Sequence, residues 1–525
     1  MKNLVMISIL FVMFFGTQNL FGINPIIKWN FDFYDNCFGQ AAAGDIDGDE
    51  KLEIVFGAYR NDSCVYCLNS EDGSLLWKIN TGGCNDAAPL IYDVNNDGNS
   101  EVIVASSCVP PTFCLNGSDG SVIWTCPRLG TDSPPSIADI DNDGKLEILH
   151  GEFEGWVICI NAETGVKEWE ILVDSSTNWI QTAPTIIDIN KDGQLDFVVA
   201  SWGTDSSSSV WAYQGDNLEL FWRSNLPQGH IYHGSSYADI DNDDKDELLI
   251  GSYDGNVYAI NSEDGSLLWS YEYSEESFYS VGAPVTIADI NNDEKYEIIF
   301  CNFNIVGVLS EEGELLWNYR QNNYATTFRG VITSDINADN YLDIIFGNSN
   351  GELTALSGFD NSVLFCLNLA EHFGKEYNMD SAPLVADFDN DGVLDIFITG
   401  GLTNYPDVEN NYGRAYLVST AKGNGPDWLM FQRNHLRNAS IPIEKSSIKY
   451  NQINFNENSI KLFISLEDIF DCFDLYENSC LIEIYGLSGN LLGKELIFNR
   501  QSIINNLNSM FSGIYLIRII NKNNQ

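Results

Sequence analysis

Positive charge is what this chain most lacks. Its 525 residues carry 26 Lys and Arg against 75 Asp and Glu, a formal net charge of −49. Such a surface repels nucleic acid and anionic lipid, which removes both as partners. Histidine is almost as scarce, with five in the whole chain. There is no HExxH pair, no serine or cysteine triad signature and no phosphate-binding glycine loop, so metalloprotease, triad-hydrolase and nucleotide-binding chemistry find no footing. Beyond Phe15 no run is long and apolar enough to span a bilayer as a helix.

The apolar run that does exist stands at the start. Lys2 precedes "LVMISILFVMFF" (Leu4 to Phe15) and then "GTQNLFG", the layout of a secretory signal peptide over residues 1–22. This predicts a secreted or cell-surface chain with no membrane span after signal removal. Twelve cysteines suit an oxidising compartment. Cys67, Cys114 and Cys159 share one repeat position with Ala259 and Ala355, however, so they are expected to be small buried residues. Cys64 and Cys67 form a CxxC with no second pair at zinc spacing, and Cys108–Cys114 and Cys472–Cys480 remain candidate disulfides. A hydrophobic content of 44% with 12% aromatics provides for a large core.

What the chain has in abundance is one acidic phrase. "DIDNDGKLEILHG" from Asp139 recurs in near copies starting at 45, 93, 188, 239, 289, 335 and 387. The spacings run from 46 to 52 residues, a period that, with several short strands per unit, marks a propeller. In each unit a small-residue segment such as "DAAPLIYD" or "QTAPTIID" leads into the acidic loop. A β-branched strand follows, then a third strand such as "NVYAIN", a tight turn and a strand ending in tryptophan: "NSEDGSLLW" to Trp77 and again to Trp269, "NGSDGSVIW" to Trp124, "NAETGVKEW" to Trp169 and "SEEGELLW" to Trp317. Glycine in that turn supplies the positive φ that a bulged hairpin needs. Four strands in each of eight units predict an all-β, eight-bladed β-propeller over residues 25–435, with a seven-bladed ring carrying one degenerate unit as the alternative. The tryptophans are expected to pack between blades. The eighth blade needs a fourth strand, either from Trp29 in "IIKWNF" or from "DWLMF" at Trp428, and pairing by the N-terminal strand would remove the last open edge.

Positions 1, 3, 5 and 9 of the loops carry Asp45, Asp47, Asp49, Glu53; Asp93, Asn95, Asp97, Glu101; Asp139, Asp141, Asp143, Glu147; and Asp188, Asn190, Asp192, Asp196. The remaining loops carry Asp239, Asp241, Asp243, Glu247; Asp289, Asn291, Asp293, Glu297; Asp335, Asn337, Asp339, Asp343; and Asp387, Asp389, Asp391, Asp395. Every one is an oxygen ligand. Alternate spacing in a tight turn lets three side chains converge while the position-7 carbonyl and position-9 carboxylate close the cage, a donor set suited to Ca²⁺. An EF-hand is excluded, because position 12 is Phe56, Val104 or His150 inside a strand. Eight structural Ca²⁺ ions would reduce −49 to about −33. At millimolar calcium a dissociation constant of about 0.1 to 1 mM gives roughly 0.4 to 1.4 kcal/mol per loop, and on the order of 3 to 11 kcal/mol for eight.

These loops, "GDIDGDEKLEIVFG" above all, resemble FG-GAP repeats of integrin α-subunit propellers and bacterial VCBS-type surface proteins. The "NSEDGSLLW" turns are similar to those of pyrroloquinoline quinone propellers. Residues 443–525 lose the acidic phrase and show short alternating strands, "IKLFISLE", "LIEIYGLSG" and "GIYLIRII", which predict a small β-sandwich. "IEIYGLSGNLLGKE" with "MFSGIYLIRI" resembles the C-terminal sorting domain of type IX secretion cargo, without that domain's Pro-Asn-Pro start; the resemblance implies type IX secretion machinery as a partner.

The resemblance implies acidic loops on one face and ligands on the other, where the segments entering each first strand are aromatic and polar. Trp179, His230, Tyr232, His233, Tyr279, Arg329 and Tyr377 are the candidate ligand-binding residues, with Tyr34, Asn178, Trp202, Phe278, Tyr324 and Phe328 beside them. They suit a binding or adhesion module for a glycan or an extracellular protein. The alternative is an enzyme on the same fold, either a polysaccharide-degrading one like the propeller rhamnogalacturonan lyases or a quinoprotein. His230, His233, Arg329, His372 and Lys375 are then the available bases and cations.

Overall fold

The structure, a computed structural model, describes residues 23–443 except 178, 204–207, 228 and 274–279, and the strands Cys480–Gly486, Leu491–Ile497 and Tyr515–Asn521. The chain falls into two compact units, Met1–Ile443 and Glu444–Gln525. The first contains eight antiparallel four-stranded sheets, each built from consecutive strands except the last. Blade 1 is Ala42–Gly44, Glu53–Gly57, Cys64–Asn69 and Leu75–Asn80. The protein is therefore an eight-bladed β-propeller.

Burial follows from position in the blade. Second strands such as Glu53–Gly57 and Glu101–Ala105 are buried at every residue, because each blade packs a neighbour on both faces. Outer strands such as Leu267–Glu272 instead alternate between exposed and half-buried residues. The core is accordingly not one mass but a series of layers between adjacent blades, for example Ile46, Trp77, Ile91, Val102 and Phe113 between blades 1 and 2. Cys67, Cys114 and Cys159 are fully buried in these layers, as their interchange with alanine suggested. Cys108 and Cys114 stand as free thiols, which corrects the candidate bridge between them; Cys472 lies outside the described residues.

The outer-strand tryptophans link blades by a repeated contact. Trp77 Nε1 donates to Gly117 O at 2.6 Å, and its ring lies so close over Gly120 that a Cβ there would come within 2.7 Å of it. Gly120 also has φ 69°, so the turn needs glycine for conformation and clearance alike. Trp29 treats blade 1 the same way, donating to Ser70 O at 2.6 Å over Gly73. Its strand, Ile26–Phe33, pairs with Tyr412–Ser419 and completes blade 8 after Leu384–Ala386 and Asp395–Leu402. The N-terminal route thus closes the ring.

Trp428 has a different place. From Gly425 to Ile441 the chain runs round the axis, hydrogen-bonding the innermost strands in turn. Asp335 N donates to Gly425 O, Val385 N to Trp428 O, Ala43 N to Leu429 O, Ile137 N to His435 O, Ile186 N to Leu436 O, Tyr237 N to Asn438 O and Ile287 N to Ala439 O, at 2.7 to 3.2 Å. Blade 2 is met by Met430 and by His435, whose ring lies 5.3 Å from Tyr92. This axial belt visits blades 7, 8, 1, 2, 3, 4, 5 and 6 and fills the centre with Phe431 and the fully buried Arg437, which donates to Phe431 O at 2.6 Å and Pro135 O at 2.9 Å.

In the second unit, Cys480–Gly486 lies between Leu491–Ile497 and Tyr515–Asn521 in a three-stranded antiparallel sheet. The remainder of the expected sandwich, like the expected signal peptide, falls outside the described residues.

Candidate functional site: two ends of the first strands

Each first strand ends in the acidic phrase. The hairpin register pairs the residue before position 1 with position 9, as in Gly44 with Glu53 and Ala138 with Glu147. Between them the backbone turns left-handed at position 4 and again at position 6 in all eight loops: Gly48 and Glu50, Asn96 and Gly98, Asn142 and Gly144, Lys191 and Gly193, Asn242 and Asp244, Asn292 and Glu294, Ala338 and Asn340, Asn390 and Gly392. These two kinks explain the recurrent Asn and Gly. They also turn the amides inward: Asp97 N donates to Asp93 Oδ1 at 3.1 Å, Gly98 N to Asp93 Oδ2 at 2.9 Å and Asn99 N to Asp97 Oδ1 at 2.8 Å.

All eight position-9 carboxylates are buried. In seven loops one oxygen accepts the position-2 amide, as when Ile140 N donates to Glu147 Oε2 at 3.0 Å. The other oxygen of Glu147 and of Asp343 meets no hydrogen-bond donor, and neither does Asp139 Oδ1. Burial, reinforced by neighbouring loop aspartates, pushes Glu53 and Glu297 up to about 7 and Glu147, Glu247 and Asp343 to about 8. Ligand oxygens lie within 4.8 Å of one another in Asp45, Asp47, Glu53; Asp139, Asp141, Glu147; Asp239, Asp241, Glu247; and Asp387, Asp389, Asp391. Orphaned buried oxygens in an all-oxygen donor set fit a hard divalent cation.

The eighth loop departs from this pattern. Lys28, from the closing strand, reaches Asp389 Oδ2 at 2.7 Å, Asp395 Oδ2 at 3.1 Å and Asp391 Oδ2 at 3.4 Å. Partial burial works against its charge, but the carboxylates outweigh that and hold its pKa above the ordinary lysine value.

At the other end of the first strands the blades differ. The residue four positions before each first strand is Phe38, Asp86, Asp132, Gln181, Tyr232, Gly282, Phe328 or Asp380 in blades 1 to 8. These line the mouth of the axial funnel. The belt is its floor, with Phe431 packed on Ala88 and Ala183 and 5.7 Å from the His233 ring.

Within this mouth Asp86 and Asp132 lie near enough for each to influence the other's charge. Each also presents a buried Oδ1 that no protein N–H or O–H reaches. Burial raises both, Asp132 to about 8, and the Asp86 charge adds to the rise at Asp132. Gln181 Nε2 donates to Asp132 at 3.4 Å, and Asn36 Nδ2 to Asp380 at 3.1 Å. Arg329 is 5% exposed, held over the Tyr232 and Phe328 rings at 5.0 and 5.4 Å. It attracts Asp86, Asp132 and Asp380 across space without bonding to any of them, and its Nε is unpartnered. His233 is equally buried, kept neutral by burial, with Nε2 unpartnered.

An aromatic run leads into this ring. Phe153 and Trp179 lie 6.4 Å apart, Trp179 and Trp202 6.3 Å, and Trp202 stacks on His230 at 4.5 Å while meeting Tyr232 at 5.3 Å. Trp179, His230, Tyr232, His233 and Arg329 of the expected residues are thus brought together. Tyr377 is not: it is 1% exposed, with its hydroxyl donated to Arg414 O at 2.7 Å, and belongs to the core between blades 7 and 8. Tyr279, Phe278 and Asn178 lie outside the described residues. Tyr34 and Tyr324 project into solvent, and His372 and Lys375 sit apart against Tyr416 and Tyr412. Asp86, Asp132 and Asp380 escaped the sequence reading, although each precedes its strand in the same phrase, "DAAP", "DSPP" and "DSAP".

Fold and loops together define a β-propeller built of FG-GAP-like repeats. Residues 93–150 match the FG-GAP-like repeat family, and residues 203–286 match the lambda-carrageenase beta-propeller domain. The chain is 23% identical over 381 residues to cartilage acidic protein 1 of Xenopus tropicalis, covering 59% of this chain and 57% of that one. It is 35% identical over 124 residues to a lambda-carrageenase of Pseudoalteromonas sp, covering 24% and 12%, and 23% identical over 247 residues to rhamnogalacturonan endolyase YesW of Bacillus subtilis (strain 168), covering 42% and 38%. The matches thus span 57%, 12% and 38% of these relatives' own lengths. Among solved structures, the V. cholerae biofilm matrix protein Bap1 superposes with a TM-score of 0.56 at 15% identity, covering 80% of this chain and 96% of that one, a likeness of fold.

Proposed function

We propose that the protein is an exported, calcium-stabilised propeller that recognises a glycan at the mouth formed by the leading ends of its first strands. The observation that carries this reading is the half-buried aromatic run Trp179–Trp202–Tyr232 ending at a ring of polar groups. Flat rings offer stacking surfaces to sugar faces, and amides and carboxyls beside them take up hydroxyls. The names of two relatives, a carrageenase and a rhamnogalacturonan endolyase, support a glycan over a protein ligand. The acidic loops hold Ca²⁺ as structural ions, and the place of action is the cell surface or the extracellular medium, with the tail serving type IX export.

Glycan-array binding of the full chain in calcium tests the reading. Trp202→Ala is expected to weaken binding about tenfold or more, since stacking is worth on the order of 1 to 2 kcal/mol. Array binding unchanged in Trp202→Ala would move the ligand elsewhere. Unchanged melting on chelation would remove the calcium.

A further inference from the structure

The outer strands carry a second repeat, written in the backbone. In every blade the pairing of the third strand with the outer one slips by one residue just ahead of the tryptophan, or of Phe365 in blade 7: Cys67 faces Trp77, for example, but Leu68 faces Leu75. The residue left over is a β-bulge, and a bulge re-aims its side chain. It is Leu76, Ile123, Phe221, Leu268, Leu316 or Leu364 in six blades, Glu168 in blade 3 and Lys28 in blade 8. Two of the eight bulges thus carry charge, of opposite sign.

Both charges bear on the acidic loop of their own blade. Lys28 Nζ lies 2.7 to 3.4 Å from oxygens at positions 3, 5 and 9 of the eighth loop, those of Asp389, Asp391 and Asp395. Lysines at position 7 of three other loops, Lys51, Lys145 and Lys245, reach the exposed position-5 carboxylate at 3.4 to 3.7 Å and not the buried one at position 9. In the first, third and fifth loops the position-9 carboxylate gathers with positions 1 and 3, whereas in the eighth Asp391 takes that place. Glu168 acts in the other direction. Its Oε1 accepts Asn161 Nδ2 at 3.1 Å, and Asn161 is the cross-strand partner of Glu147, the buried position-9 carboxylate of the third loop, whose own Oε1 meets no donor. A fifth acid is thereby set beside the four of that loop.

We propose that the bulged residue sets the cation affinity of its blade's loop. Lys28 makes the eighth loop one that needs no ion, Glu168 makes the third loop the tightest, and the six apolar bulges leave their loops at the affinity of the turn itself. This rests on the calcium reading above. An ammonium among three ligand oxygens takes the place and part of the charge of a divalent ion, and the two repel each other. An added carboxylate attracts the ion through its charge without having to ligate it. The lysine stands where the ring most needs it. Blade 8 is the seam at which Ile26–Phe33 meets Tyr412–Ser419, whereas every other blade is built from consecutive strands. With Lys28 in place the seam shuts without calcium.

The test is calcium titration and metal analysis of the full chain. Lys28→Met should bind one ion more than the wild type, and Leu268→Lys, placed at an exposed bulge, one fewer. Glu168→Gln should keep the wild-type number and weaken the tightest site by about three- to tenfold. In chelator the backbone amides of Ile26–Phe33 should exchange with deuterium about tenfold faster in Lys28→Met than in the wild type. Equal ion counts in Lys28→Met and the wild type, or in Leu268→Lys and the wild type, overturn the role of the bulge and leave the calcium reading standing. An unchanged tightest site in Glu168→Gln overturns it for blade 3, and unchanged exchange overturns the calcium-independent seam. Calcium bound by none of the four proteins sinks the calcium reading itself.

Discussion

The two ends of the first strands obey opposite rules. At the trailing end eight blades repeat one turn, down to left-handed residues at positions 4 and 6 and a buried carboxylate at position 9. At the leading end the same blades place eight residues in equivalent positions, among them three aspartates, a glutamine, a tyrosine and a glycine. Repetition serves what every blade needs, a hairpin held shut against its own charge. Divergence serves what the ring does once. Lys28 sharpens the contrast from within the repeated end, since among the described residues it is in the eighth loop that a lysine reaches the buried position-9 carboxylate.

The largest expected effect tests the repeated end. Chelation should remove about 3 to 11 kcal/mol and lower melting by about 4 to 13 °C, as followed by calorimetry. If the loss is confined to one or two degrees, the repeated end is an acidic surface and not a set of ion sites. Next in size, Lys28→Met in chelator should cost about 1 to 3 kcal/mol, because Asp395 is left buried and uncompensated while the partial exposure of Lys28 limits the loss. Calcium should restore that variant and raise the bound ions by one over the wild type, as counted by metal analysis.

A smaller effect tests the divergent end through pH. Burial, reinforced by the Asp86 charge, raises Asp132 to about 8, whereas the unfolded chain releases that proton near pH 4, so the native state binds more protons and its stability falls as pH rises toward about 8. Melting measured in saturating calcium should therefore decline less between about pH 5 and 8 in Asp132→Asn than in the wild type; equal slopes would mean that burial does not hold the Asp132 carboxyl protonated. Smallest of all, Glu294→Gly should stabilise by up to about 1 kcal/mol, because Glu294 has φ 66° where glycine is unstrained. A loss there would mean that the Glu294 side chain does more than occupy the turn.

Legibility divides along the same line. The period, the loops, the buried cysteines and the interblade tryptophans could be read because each is written several times, so chance agreement cancels. Blade number followed from the same grammar, which left closure open between the strands at Trp29 and Trp428. The nearness of Asp86 and Asp132 could not be read, since they are 46 residues apart and approach only when blades 2 and 3 stack. Tyr377 shows the converse error: an aromatic residue ahead of a first strand looked like a rim residue, but its ring turns inward and its hydroxyl is spent on Arg414 O. The belt was opaque for another reason. "DWLMF" alternates like a strand, and nothing local says that its main chain bonds the inner rather than the outer edge of a blade.

That belt bears on how the protein would carry a load. Tension applied beyond Ile443 reaches the wheel through a strip of backbone tied to seven of the eight blades by separate hydrogen bonds and lodged in the axis by a buried guanidinium. The pull is thus shared around the hub like that on an axle, and no single outer strand has to peel first.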